Sequence, residues 1–387
     1  MMSDPVIEPQ DAISAEVRRW VDKEVIPVVD ELEHSNTFPE QLLSGMKDLG
    51  LFELMIPEEN GGVGASYVTY SGVVEELARG WMSLGGILNT HVIVTHLVSK
   101  YGTPYQKEKY LPQIATAERR GALTITEANA GSDVQAIQTT ATLSNGSYLV
   151  NGSKLFVSNG RRGGIFAMAV KTNTHIDPRY KGISCLLVEP EFKGFNVTRD
   201  IEKLGYKGIE ASELSIDNME VPEENLLGGE EGQGFFQVLS GVEVGRVNTA
   251  ARAVGVARAA FEASVKYAQQ REAFGKKIGE HQAIQLKLAD MYTNITAARL
   301  LARWAAGVKD QGGRADTEVG MAKLFATEVA TEATLEAMRI HGGIGYTKEL
   351  PVERFFRDAP GMMIYEGTNE IQRTIIAKNV LKRYSIE

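Results

Sequence analysis

Tyr148-Leu149-Val150-Asn151-Gly152-Ser153-Lys154-Leu155-Phe156-Val157 is the stretch that decides the fold, because here the residue pattern stops being helical. Tyr148–Val150 and Lys154–Val157 read as strands, and Asn151-Gly152 between them reads as a hairpin turn, since both residues tolerate positive φ. Further strands are expected over 165–170, 182–188 and 211–216, within a region of period two running from Leu123 to about Leu227. Pro222 helps to end it. A compact β-domain is the expectation for this part of the chain.

Outward from this region the period is helical on both sides. Ile13, Val17, Trp20 and Val21 form one apolar stripe. Pro39 can open a helix carrying Leu42, Leu43, Met46 and Leu49, with Gly50 as its stop. Tyr67 to Arg79 and Met82 to Tyr101 read as two more helices. Beyond Gly234 the helices are long: Phe261, Val265 and Ala268 stripe one, and Ile284, Leu288, Met291 and Ile295 the next. Val319, Ala322, Phe325, Val329, Ala333 and Met338 stripe a third, stopping at Gly342-Gly343. The expected fold class is α+β multidomain. An N-terminal all-α domain (1–122) precedes a middle β-barrel or sandwich domain (123–228) and a C-terminal four-helix bundle (229–387).

Composition narrows the function classes. The 387 residues are 43% hydrophobic and 24% charged, with net charge −9 and no basic block. Such a surface repels phosphate backbones, so no nucleic acid is expected as a partner. The sole cysteine, Cys185, excludes an internal disulfide framework and reads as a buried thiol in a strand. The six histidines are scattered, so no metal is expected. No apolar run reaches membrane-span length and the N-terminus carries no signal pattern, so a soluble cytoplasmic protein is expected. Rossmann glycines, a Walker loop and a nucleophile elbow are all missing.

Chemistry enters near the C-terminus, at Tyr365-Glu366-Gly367-Thr368-Asn369-Glu370-Ile371-Gln372-Arg373. Apolar neighbours desolvate Glu366, which suits a base that takes a weakly acidic C–H proton. The alternative is a helix-start carboxylate favoured by the macrodipole. A second stretch stands some 230 residues earlier, Thr126-Glu127-Ala128-Asn129-Ala130-Gly131-Ser132-Asp133. Val150–Gly160, Gln270–Gly275, Glu280–Gln282 and His341–Tyr346 follow it in order. Together these resemble the acyl-CoA dehydrogenase family of FAD-dependent flavoproteins, except that Ala128 stands where that family usually has proline.

The resemblance implies dehydrogenation of an acyl-CoA thioester to the trans-2-enoyl-CoA, as in fatty-acid β-oxidation. Glu366 is then the base for the α-proton, while the β-hydrogen leaves as hydride to flavin N5 and the electrons pass on to an electron-transferring flavoprotein. By the same resemblance Ile125, Thr126, Ser132, Phe156 and Ser158 contact the flavin, with Phe156 and Ser158 on one face of a strand. Arg271, Phe274 and Gln282 reach the flavin of a neighbouring subunit, which implies a homotetramer. Arg339, Gly342, Gly343, Thr368 and Glu370 complete the expected FAD set. Ser132, Glu243, Arg246, Tyr365 and Gly367 are the expected substrate contacts, with Thr95 and Ser99 on the acyl pocket alongside His96. Some relatives place the base one residue before the arginine equivalent to Arg246. Here that position is Gly245, which points to Glu366. Acyl-CoA oxidase, another elimination on the same site, and a non-catalytic binding protein on this fold are the alternatives.

Overall fold

The computed structural model describes residues 11–385; the reading of the extreme N-terminus lies outside them. The first layer comprises α1 (Ala12–Trp20), α2 (Val29–His34), α3 (Glu40–Asp48), α4 (Tyr67–Gly80), α5 (Met82–Tyr101) and α6 (Pro104–Ala115). Its starts are capped as the residue types require. Ser66 Oγ accepts the Thr69 N–H at 3.1 Å, and Thr103 with Gln106 closes a capping box on α6. The α1 stripe continues into one π-helical turn, Val21–Val25, and buries Val17, Val21 and Val25 against α4.

Seven strands follow: β1 (Gly121–Thr124), β2 (Thr140–Ser144), β3 (Ser147–Val157), β4 (Ile165–Lys171), β5 (Ile183–Val188), β6 (Phe195–Asp200) and β7 (Ser212–Pro222). They form one sheet in the order β1-β4-β2-β3-β7-β6, with β5 on β4. β4 and β5 are buried on both faces and read as unbroken apolar runs. β2 and β6 escaped the sequence reading because most of their residues are exposed, leaving no apolar alternation to detect.

The expected hairpin turn at Asn151-Gly152 is a correction. β3 runs straight through both residues, and the turn is Asn145-Gly146, each with positive φ. Gly152 instead marks a bulge against β7, where Thr139 packs so closely that a Cβ would meet it at 2.5 Å. The alternation expected for Phe156 and Ser158 also fails. The register slips between Lys154 and Val157, Phe156 has φ 56°, and Ser158 lies beyond the strand.

The last layer is α7 (Gly234–Gln270), a short hairpin of β8 (Glu272–Ala273) and β9 (Lys276–Lys277), α8 (Gln282–Asp310), α9 (Asp316–His341), α10 (Val352–Asp358) and α11 (Asn369–Arg383). α7 is the spine, packed by α4, α5, α8 and α9. Its alanines and Gly255 let α4 approach until Gly255 has no room for a Cβ beneath the Glu75 carbonyl. Arg258 pairs with Glu75 and Glu76 in that contact, and Arg299 adds a bond to Glu75 at 3.0 Å. On α9 the buried stripe is Val319, Ala322, Ala326, Val329, Ala333 and Ala337; Phe325 falls off it and is exposed. Among the described residues no helix is long and apolar enough to cross a membrane, and no group of three or more His, Cys, Asp or Glu could hold a metal.

Lys154, fully buried in β3, donates to the Ala169 carbonyl (2.7 Å), the Ile125 carbonyl (3.2 Å) and Glu127 Oε1 (2.8 Å). Glu127 in turn accepts from Gln138 N, Thr139 N and Thr139 Oγ1. This pair ties the 125–139 loop to the sheet. Removing one partner of a buried pair leaves an uncompensated charge, so Lys154→Ala is expected to cost about 3–5 kcal/mol, read as a lower denaturant midpoint. The double variant Glu127→Gln/Lys154→Met is expected to recover part of that loss.

Candidate active site

Glu366 sits in the turn between α10 and α11, at φ 56°, and is followed by Gly367 at φ 82°. Two left-handed residues in succession reverse the chain, and a non-glycine residue holds that conformation only where its surroundings impose it. The surroundings are main-chain bonds from buried side chains. The Glu366 carbonyl accepts from Arg246 Nε (3.2 Å) and Gln372 Nε2 (3.3 Å). The Gly367 carbonyl accepts from Lys323 Nζ and Gln372 Nε2, both at 2.9 Å. Thr368 Oγ1 then caps α11 by accepting the Ile371 N–H at 3.3 Å. Glu366 is therefore not a helix-start carboxylate, because Thr368 fills that role.

The carboxylate accepts from Asn89 Nδ2 on α5 at 2.8 Å and has no cation within ion-pair distance among the described residues. Opposite it α7 carries Gly245, where a Cβ would lie 2.6 Å from the Glu366 carboxyl carbon. Burial raises the Glu366 pKa above its ordinary value of 4.5; Arg252, the Asn89 hydrogen bond, Arg246 and Lys323 oppose the rise. Desolvation also pulls Lys323 down to about 8. The Glu366 N–H donates to no acceptor among the described residues. Tyr365, half-buried beside it, has an unpartnered hydroxyl and stacks on Tyr206 at 5.8 Å.

Two substrate-side expectations are corrected. Thr95 is buried, and its hydroxyl bonds the His91 carbonyl within its own helix at 2.9 Å, so it faces no cleft. Glu243 is committed as a clamp, accepting from Lys309 Nζ (2.6 Å) and Ala315 N (3.0 Å). Ser99 is half-buried and its hydroxyl lacks a partner. His96 bonds Ser240 Oγ at 2.8 Å and Tyr67 OH at 3.3 Å, with its pKa pushed down to about 3 by burial. Sequence reading passed over Asn89 and Lys323, which only folding brings to the 366–367 turn, and gave no role to Gln372 within the quoted stretch.

The residues expected to hold FAD fall into two groups. Near Glu366, Thr90 Oγ1 accepts the Leu123 N–H (2.9 Å), bringing β1 alongside Asn89. Ile125 and Thr126 follow that strand, and the Thr126 carbonyl accepts the Leu155 N–H (2.8 Å), beside Phe156. Phe156 is 59% exposed, and Ser132 lies on the exposed end of the same loop. Arg271 and Phe274 are at the other end of α7, 26 residues beyond Gly245, or about 39 Å at 1.5 Å per residue. Phe274 is 96% exposed at φ 54° and its ring meets His281, next to Gln282. Gly342 and Gly343 join this far group because His341 stacks on Tyr267 at 4.3 Å; Arg339 there is exposed and paired with Glu336. Glu370 is exposed on the first turn of α11.

Both groups fit a flat aromatic cofactor. Phe156 and Phe274 are exposed aromatics held at positive φ, and Gly131, Gly342 and Gly343 present backbone to open space.

The chain matches the acyl-CoA dehydrogenase N-terminal domain over residues 8–118, the middle domain over 122–219 and the C-terminal domain over 232–381. It is 43% identical over 366 residues to an acyl-CoA dehydrogenase of Bacillus subtilis (strain 168), covering 94% of this chain and 96% of that one. Butyryl-CoA dehydrogenase from Megasphaera elsdenii superposes with TM-score 0.92 at 34% identity, covering 96% and 98%. A glutaryl-CoA dehydrogenase from Mycobacterium smegmatis in complex with FADH2 superposes with TM-score 0.90 at 27% identity, covering 100% and 98%. With the three domains matched in order and the helix–sheet–helix architecture shared, the chain belongs to the acyl-CoA dehydrogenase family of oxidoreductases, which act on CH–CH groups.

Proposed function

We propose that the protein binds FAD and oxidises an acyl-CoA thioester to its trans-2-enoyl-CoA, with Glu366 as the base. The observation that carries this reading is a desolvated carboxylate bonded, among the described residues, to one amide and to no cation, beside a main-chain N–H of the same residue that has no acceptor among them. A carboxylate is a weak base for a carbon acid. Desolvation raises its basicity, and the Glu366 N–H can donate to the thioester oxygen as negative charge builds there. The α-proton moves to a Glu366 oxygen, the β-hydrogen leaves with its bonding pair, and a C=C bond forms between the two carbons. Bound FAD supplies the acceptor for that hydride and, through the family's electron-transferring flavoprotein, the onward path for its electrons.

The near group, Ile125, Thr126, Ser132, Phe156, Ser158 and Thr368, would hold the flavin beside Glu366, with Glu370 at its edge. The far group, Arg271, Phe274, Gln282, Gly342 and Gly343, would serve a neighbouring subunit's cofactor, since about 39 Å separates it from Glu366. Exposed Leu286, Leu300 and Trp304 on α8, with Phe325 and Leu335 on α9, support an oligomer, read here as a homotetramer. Division at 1–122, 123–228 and 229–387 goes with this reading.

An anaerobic titration with saturated acyl-CoAs tests the reaction: bleaching of the oxidised flavin band by one chain class is expected, and an unbleached spectrum across the panel overturns it. Glu366→Gln is expected to retain flavin and acyl-CoA binding but lose reduction by at least about 10³-fold. Because the folded pKa of Glu366 is raised and the carboxylate is the active form, the reduction rate should fall as pH drops through a value above 4.5. Gly245→Ala pushes the carboxylate off its position, so a rate loss of roughly 10²-fold with unchanged flavin content is expected.

A further inference from the structure

Six arginines are buried: Arg79, Arg246, Arg252, Arg258, Arg299 and Arg354. Five of them have a carboxylate within 4.0 Å, from Asp316 at 3.8 Å for Arg246 to Glu76 at 2.8 Å for Arg258. Arg252 has none. Its Nη1 donates to the Tyr206 hydroxyl (2.8 Å), its Nη2 to Thr249 Oγ1 (3.2 Å), and its Nε is unpartnered. The guanidinium carbon lies 5.1 Å from the Tyr365 ring centre and 5.5 Å from that of Tyr206. α5 leaves room for this arrangement: a Cβ on Gly85 would come within 2.9 Å of Arg252, and one on Gly86 would run into the Tyr206 hydroxyl.

A fully buried cation without a counter-ion is costly, and so is a desolvated carboxylate without a cation. Among the described residues Arg252 is the buried arginine of this region without a carboxylate and Glu366 a carboxylate without a cation; Lys323 and Asp358 nearby also lack an ion-pair partner, but they are tied to carbonyls and Asn369 and to the Tyr206 N–H, whereas Tyr365, the residue before Glu366, lies against the Arg252 guanidinium. We propose that Arg252 is the counter-cation of Glu366, a positioning residue that keeps the base charged from a distance and clamps its turn through the Tyr206–Tyr365 ring pair. Direct contact would occupy the carboxylate lone pairs that must receive a proton; separation by the tyrosines leaves them free. This assignment rests on Glu366 being the base.

The other groups facing Glu366 do not substitute for Arg252. From α7 Arg246 spends its Nε on the Glu366 carbonyl, and Glu243 is held by Lys309. From α9 Lys323 bonds main-chain carbonyls and Asn369, and Asp316 pairs with Arg314. Tyr70 on α4 and Asn89 on α5 are uncharged, Asp358 on α10 accepts from Tyr206 N, and Glu370 is exposed.

The test is an infrared pH titration of the Glu366 carboxyl in the flavin-loaded protein, with its band assigned by difference from Glu366→Gln. Arg252→Gln is expected to move the titration upward by about one pH unit or more, and Arg252→Lys to restore most of that shift. Tyr206→Phe, which removes only the hydroxyl bonded by Arg252, should move it the same way by less and serves if Arg252→Gln does not fold. An unmoved titration in Arg252→Gln, or in Tyr206→Phe where that variant stands in for it, overturns the assignment. So does a shift that lysine does not restore. A higher Kd confined to acyl-CoAs with a distal carboxylate, with the Glu366 titration unmoved, would also overturn it and make Arg252 a substrate-recognition residue. Because the band is read without turnover, a wild-type protein unreduced by any acyl-CoA would refute the proposed reaction and leave this comparison intact.

Discussion

Glu366 can reach its position only because α7 has no side chain at Gly245. The carboxylate occupies the space that a Cβ there would fill. The rest of the site follows from that contact. A turn that enters a helix surface must satisfy its own carbonyls, and here Arg246, Lys323 and Gln372 do so. Burying those cations is tolerable because each also meets a carboxylate or amide oxygen in the α7–α9 layer. The turn is thus held by its backbone, and the carboxylate keeps one bond, from Asn89. Rigid backbone with lightly tethered functional oxygens suits a proton acceptor, since the atoms that position the group are not the atoms that react.

The same economy extends along α7. At one end it supports the Glu366 turn, and at the other it delivers Arg271 and the exposed Phe274 about 39 Å away. The helix has 37 residues, with buried positions from Gly234 to Ala268. Its small residues allow α4 to pack tightly against it, and the Glu75–Glu76–Arg258–Arg299 cluster fixes the register of three helices at that crossing. The proposed reading gives the length a use: one chain contributes to its own site and to a neighbour's.

The sequence by itself determined the helix–sheet–helix order, the ends of α4 and α5, and the apolar stripes of the bundle, because amphipathic period and capping are local properties. It also drew attention to Glu366, through the family resemblance that its run and the Thr126–Asp133 stretch carry together. What it misread were features decided by pairing across the sheet. Asn151-Gly152 has hairpin chemistry but lies inside β3, because Thr139 and β7 pack on that strand and the earlier Asn145-Gly146 takes the turn. Strands β2 and β6, mostly exposed, left no alternation to detect. Only the tertiary structure decided which polar groups meet. Thr95 turned inward to its own helix, Glu243 was taken by Lys309, and Asn89, Arg252 and Lys323 converged on the 365–367 turn from three different helices. Such convergence depends on distances between segments from tens to hundreds of residues apart, and no local pattern encodes those distances.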